Sequence, residues 1–166
     1  MRTPLPSWPE RAQPAADILN PAISSVCVAW AAKRYERDTD GAALPFSLSF
    51  LVAPLVLHEP TRARLPQKVT SHFPTWVTHN AEVLAGFPRR AGALVPYVRE
   101  GIRTGVRSGL ITLDDAGDLT ATIAAHTTIP SKTELRSIAT SSALVGGWFA
   151  RAGTPANVFT QLGVAP

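Results

Sequence analysis

Arg89, Arg90, Arg99, Arg103 and Arg107 fall within one stretch of the chain, and the last three recur at every fourth position. That spacing sets side chains beside one another on a helical face, where guanidinium groups can hold phosphate oxygens with little dependence on base sequence. An ordinary solvated helix face has the same pattern, and Glu100 offsets part of the charge. Phosphate contacts of this kind would position a nucleic acid rather than read it. The other groups that could do chemistry form no complete constellation. His72 and His79 could share a helical face, but no third ligand stands at metal spacing. His58-Glu59 lacks the second histidine of an H-E-x-x-H zinc site. Asp114, Asp115 and Asp118 could gather a divalent cation, although carboxylates in a turn ordinarily accept bonds from their own backbone. The run Gly105-Val106-Arg107-Ser108-Gly109 has the glycines of a phosphate loop without its Gly-Lys-Ser/Thr ending or a preceding strand, and reads as a helix terminus. No catalytic residue, metal or cofactor is assigned, so the expected role is nonenzymatic.

The elements that must position these groups are mostly helical. Asn20-Pro21 opens a helix, with asparagine as N-cap and proline at the first helical position, where its missing N–H loses no bond. Ile23, Cys27, Trp30 and Ala31 share its inner face, and it should end before Asp40-Gly41. Pro45 starts an uncharged apolar block running to Leu57, read as a helix interrupted at Pro54, with strand as the competing assignment. Short helices are expected over residues 61–65 and 71–79, the second turning Phe73, Trp76 and Val77 inward. Leu94, Val98, Ile102 and Val106 form the inner stripe of the arginine-bearing helix, in which Pro96 is a kink or a start; Ser108-Gly109 ends it. Residues 110–123 then read as strand, glycine-containing turn, strand. A helix followed at once by a hairpin is the pattern of a winged-helix unit. A polar link over 126–132 leads to a helix with Leu135, Ile138, Val145 and Phe149 on one stripe, widened by Leu144 and Trp148. Gly146-Gly147 lies inside it, through close backbone packing or through simple tolerance. Thr154-Pro155 starts a last helix closed by Gly163.

The fold class is therefore mainly α, strictly α+β: a helical domain with a winged-helix-like segment and one short hairpin. At 166 residues the chain can bury a substantial core without staples. Residues 1–17 read as a flexible proline-rich lead rather than a secretory signal, and residues 18–164 as one compact accessory-subunit domain. The single cysteine, Cys27, excludes an intrachain disulfide and fits a reducing, cytoplasmic setting. No apolar run approaches the length of a membrane span. A net charge of +4 permits an acidic partner without demanding one, and the low 17% of charged residues hints at faces covered by another protein.

Several patches in order, Asn20-Pro21-Ala22 and residues 45–62, 93–100, 109–119 and 147–153, resemble the middle component of bacterial three-component ABC systems. The resemblance extends over most of residues 20–164 and lies in the order of packing and capping residues. It implies a small accessory subunit that bridges an SMC-like ABC ATPase and an effector, often a nuclease, in conflict systems of the Lamassu antiphage type. Non-specific DNA contact within such a complex is compatible with it, and the family carries no catalytic residues to transfer. The proline-rich stretch before Asp17 and the link over 124–133 depart from the pattern. The expected partner-facing residues are Leu55, Leu57, His58, Arg62, Trp148, Phe149 and Phe159, forming one exposed apolar face; Leu55, Leu57 and Trp148 also suit a core. The nucleic-acid candidates are Arg89, Arg90, Arg99, Arg103 and Arg107. The alternative is a stand-alone winged-helix DNA-binding transcriptional regulator, and a small hydrolase would rest only on scattered His and Asp residues.

Overall fold

The computed structural model describes residues 5–13, 19–124 and 127–165. Residues 1–4 and 14–17 of the lead, and His126 of the polar link, lie outside them. Eight α-helices and one antiparallel hairpin are present among the described residues: α1 Pro21–Asp38, α2 Phe46–Val56, α3 Glu59–Arg62, α4 Phe73–His79, α5 Ala81–Leu84, α6 Phe87–Arg107, β1 Ile111–Leu113, β2 Leu119–Ala121, α7 Glu134–Arg151 and α8 Pro155–Gln161. The fold is mainly helical, as its capping signals and periodicities predict.

Helix α1 is the axis of the core. Asn20 accepts the Ala22 N–H at 2.8 Å and starts it with Pro21 at the first position. Its buried residues are mostly small, Ser24, Ser25, Cys27, Ala29, Ala31 and Ala32 among them, and this lets the long helices α6 and α7 approach closely from two sides. On α7, a Cβ at Gly146 would overlap the Ala31 carbonyl oxygen, so close packing and not tolerance accounts for that glycine. On α6, a Cβ at Gly101 would fall against Ser24 Cβ and 3.1 Å from the Ser25 nitrogen. Ser25 Oγ, 2.9 Å from the Pro21 carbonyl oxygen and 2.5 Å from that of Gly101, shares its one proton between them within this contact.

The apolar block is helix, not strand. Leu48, Leu51, Val52, Leu55 and Val56 of α2 are almost completely buried, and Pro54 is tolerated in the last turn, where it leaves only the Phe50 carbonyl without an i+4 donor. Pro96 does the same to the Gly92 carbonyl within α6, which begins at Phe87 after Gly86 (φ +74°). The short helix expected over 61–65 instead spans Glu59–Arg62, and the one expected from 71 starts at Phe73. Phe73, Trp76, Trp148 and Phe149 pack as one aromatic cluster, with ring centroids of Trp148 5.2 Å from Phe73 and 5.1 Å from Trp76. Each indole N–H in it has an acceptor: Trp148 Nε1 donates to the Ser71 carbonyl and Trp76 Nε1 to that of Arg64, both at 2.8 Å.

The hairpin pairs Ile111 with Ala121 and Leu113 with Leu119. Asp114 Oδ1 closes its turn by accepting the N–H groups of Ala116 and Asp118, both at 2.9 Å, and Gly117 supplies the positive φ of +85°. Leu44 bridges to Leu119 on the outer side of β2, and the Phe46 N–H donates to Asp118 Oδ1 at 2.9 Å, so the hairpin holds the start of α2. Within the lead, Trp8–Glu10 form a single 3₁₀ turn. The guanidinium of the following Arg11 reaches both Glu100 oxygens, at 2.8 and 2.9 Å, and that bond raises its pKa.

Candidate functional site

Helix α6 presents two different sides. Phe87, Ala91, Val98, Gly101, Ile102 and Gly105 face the core. Val106, expected on this inner stripe, is 41% exposed, because the turn contacting β1 is closed by Gly105, whose missing Cβ leaves room for the Ile111 side chain. Leu135 likewise stands outside the core at the start of α7, 40% exposed. The second side of α6 faces outward and carries Pro88, Gly92, Val95, Arg99, Arg103 and Val106. These residues recur at three- and four-residue intervals and form a continuous stripe.

Two adjoining grooves, of about 580 and 670 Å³, run along that outward stripe and meet at Phe46 and Arg99. The first is walled by Arg99, Ile102, Arg103, Val106, Arg107 and Leu113; the second by Phe50, Leu51, Val95, Phe159 and Val164 among others. Phe46 and Phe50, one turn apart on α2, meet edge to face at 5.2 Å, and the Arg99 guanidinium lies 6.0 Å from the Phe50 ring centre. Phe46, Val106 and Leu113 are three of the large apolar side chains that the surface leaves about two-fifths exposed. Arg99, Arg103 and Arg107 are exposed and make no ion pair with a carboxylate among the described residues. The result is an apolar trough with a cationic rim.

The other proposed site residues have structural work. Leu55, Trp148 and Phe149 are 0–1% exposed, Phe159 is buried with one edge on the trough, and Leu57 packs against the core. The exposed apolar face expected around residues 54–62 and the C-terminal helices is thus found instead along α2 and α6, because the largest apolar side chains were drawn into the core. Arg62 donates to the Val56 carbonyl at 2.7 Å and to Glu134 at 2.9 Å, capping the end of α2. His58 Nδ1 lies 2.7 Å from Thr61 Oγ1; burial and then the Arg90 charge hold its pKa below the usual value. Arg90 turns inward to the carbonyls of Ala85 and Val83, and burial lowers its pKa, so it is no free cation for phosphate. Arg89 is exposed, a long way along α6 from the other three.

His72 and His79 bond within their own helix, to Thr75 Oγ1 and to the Thr75 carbonyl, and among the described residues no group of three or more His, Cys, Asp or Glu is placed to hold a metal ion. No described helix is long and apolar enough to cross a membrane.

Residues 8–166 match the family model described as ABC-three component (ABC-3C) system Middle Component 3. The chain belongs to that family. No curated protein and no solved structure matches it. As an ABC-3C middle component it has other ABC-3C components for partners. In this Middle Component 3 protein, sequence order alone could mark the family, since its patches are capping and packing residues. Gly101 and Gly105 carry no hydrophobic signal, so the sequence hides the true inner side of α6 and lends Val106 to it; the signal for the trough is the second apolar spacing, Pro88, Val95, Ile102 and Val106, beside the arginines.

Proposed function

We propose that this Middle Component 3 protein is a non-catalytic bridging subunit that joins an SMC-like ABC ATPase to an effector, often a nuclease, within a cytoplasmic antiphage defence complex of the Lamassu type. The family match over residues 8–166 carries this reading. The apolar trough bordered by exposed arginines supports it, since an apolar groove with a charged rim offers a partner both burial and orientation. The helix-then-hairpin unit formed by α6, β1 and β2 agrees with a winged-helix-like module serving as a docking platform.

Co-expression with the neighbouring genes, purification through this chain and mass measurement of the product test the reading. A complex containing both the ATPase and the effector is expected. The exposed Arg99, Arg103 and Arg107 favour one second reading, a stand-alone DNA-binding regulator. It predicts a monomer or homodimer that ignores both neighbours and binds duplex DNA with steep salt dependence and sequence preference.

A further inference from the structure

We propose that the trough between α2, α6 and β1 receives an acidic amphipathic helix of a partner subunit, with the apolar side of that helix on Phe46, Val95, Ile102 and Val106 and its carboxylates on Arg99, Arg103 and Arg107. This inference rests on the bridging role above and assigns it a surface and a partner chemistry.

The shape of the trough argues for a helix. Its floor is built from four-residue ridges on two helices, Phe46 and Phe50 on α2 and Ile102 and Val106 on α6, and the groove between two such ridges is where a third helix packs. The stripe from Pro88 to Arg107 is about 28 Å long at 1.5 Å per residue, room for about five turns. Gly92 lies on this stripe one turn in from Pro88, with nothing within 4 Å of where its Cβ would be, so the trough is open toward that end. Strand addition has little to build on, because β1, the free edge of the hairpin, has only three residues.

Charge selects the sign of the occupant. The three guanidiniums are spaced by single helical turns along one rim, and carboxylates at the same spacing on a docked helix would meet them in register. Contrast with Arg11 is instructive: on another face of the same helix, Glu100 already holds that guanidinium in a two-point ion pair, whereas the rim arginines have no carboxylate among the described residues.

The floor separates a protein from a nucleic acid. A duplex could use the arginines, but its sugar-phosphate surface would dehydrate Phe46, Val106 and Leu113 without offering them an apolar partner. Stacking of single-stranded bases needs free ring faces, and Phe50 has the Arg99 guanidinium over its ring and Phe46 packed edge to face against it.

The test uses the assembled complex. Cys27 is fully buried, so a thiol introduced by Val106→Cys can be labelled alone with a benzophenone maleimide before the chain is mixed with the ATPase and effector purified from the adjacent genes. Ultraviolet cross-linking should attach position 106 to a segment with apolar residues every three or four positions and Asp or Glu beside them. The same label at Leu135→Cys, an exposed apolar site away from the trough, should stay silent. Arg103→Glu with Arg107→Glu should weaken assembly at least tenfold, with an unchanged melting temperature, and raised salt should weaken the wild-type complex in the same direction. An assembled complex in which position 106 stays silent, cross-links to nucleic acid or meets a basic segment overturns this inference and leaves the bridging role standing. So does assembly unaffected by the charge reversal. Failure of the wild-type chain to assemble with either neighbour overturns both.

Discussion

On the buried side of α6, Gly101 and Gly105 stand where a neighbour's atoms occupy the space of a Cβ; on the open side, Gly92 stands where nothing does. The same residue on one helix thus records a contact already made and a surface without one. The arginines divide the same way. Arg62 and Arg90 are held by backbone carbonyls inside the fold, and Arg103 and Arg107 extend from the rim of the trough. Residue type is therefore a poor guide to role in this chain, and the deciding quantity is what lies within reach of each side chain.

Three glycine substitutions put the comparison at risk. Gly101→Ala should be the most damaging, about 3 kcal/mol by overpacking, because the new methyl meets Ser24 and the Ser25 backbone, which cannot yield without moving α1. Gly105→Ala should cost less, about 2 kcal/mol, since what it meets is the buried Ile111 side chain, whose Cδ1 and Cγ1 lie 2.5 and 2.9 Å from the new position, rather than a neighbouring helix's backbone. Gly92→Ala should change sign and stabilise by about 0.5 kcal/mol through helix propensity alone. Urea denaturation midpoints order the three. Equal losses at positions 92 and 101 would show that the open side is not open.

The arginines supply a second pair. Arg62→Ala should destabilise by about 2 kcal/mol, because it strips the Val56 carbonyl of its donor in a part-buried site. Arg103→Ala should stay within about 0.5 kcal/mol of wild type, as befits an exposed side chain without an ion partner among the described residues. Thermal or urea melts of the two variants side by side measure the difference.

The smallest effect at neutral pH concerns the core alone. Burial pushes the Cys27 thiol up to about 12, against the lowering influence of Ser142 and Arg62. In the unfolded chain the thiol ionises near about 8.5. The fold keeps the proton over the interval in which the unfolded chain releases it, so this contribution to stability is full below about 8.5 and falls as pH rises toward 12. Cys27→Ala should flatten that alkaline decline in a pH series of melts, and native Cys27 should resist a thiol reagent at pH 8 until the chain unfolds.

Much of the fold was legible because its signals are local hydrogen-bond chemistry. Asn20, Thr133 and Thr154 accept N–H groups from their own helices, and Asp114 closes its own turn. Where the signal is a neighbour, the sequence was mute. A four-residue stripe through Val106 and a stripe through Leu135 look as good on paper as the true ones, and only the positions of β1 and α1 decide against them. The short helix Ala81–Leu84 has no strong cap or stripe to announce it. Of the trough, the exposed row Arg99, Arg103 and Arg107 was legible as one helical face, and the apolar half beside it was not. Trp148 and Leu55 promise a sticky surface by their size, and for the same physical reason they are the first residues a core takes.

The bridge between Leu44 and Leu119, with the bond from the Phe46 N–H to Asp118, has a kinetic consequence. Residues 46 and 118 are 72 positions apart, and α2 through α6 lie between them. The β1–β2 turn closes over a handful of residues and can form early, whereas its union with the start of α2 has to wait for a long loop to close. Synthesis fixes the order of emergence: α1 and α2 leave the ribosome well before the strand that clasps them, and α7, which covers α1, follows the hairpin with only α8 after it. The first helices therefore spend their earliest moments with the core face of α1 uncovered, and the contact that ties the hairpin to the start of α2 closes only after every helix between them has been made.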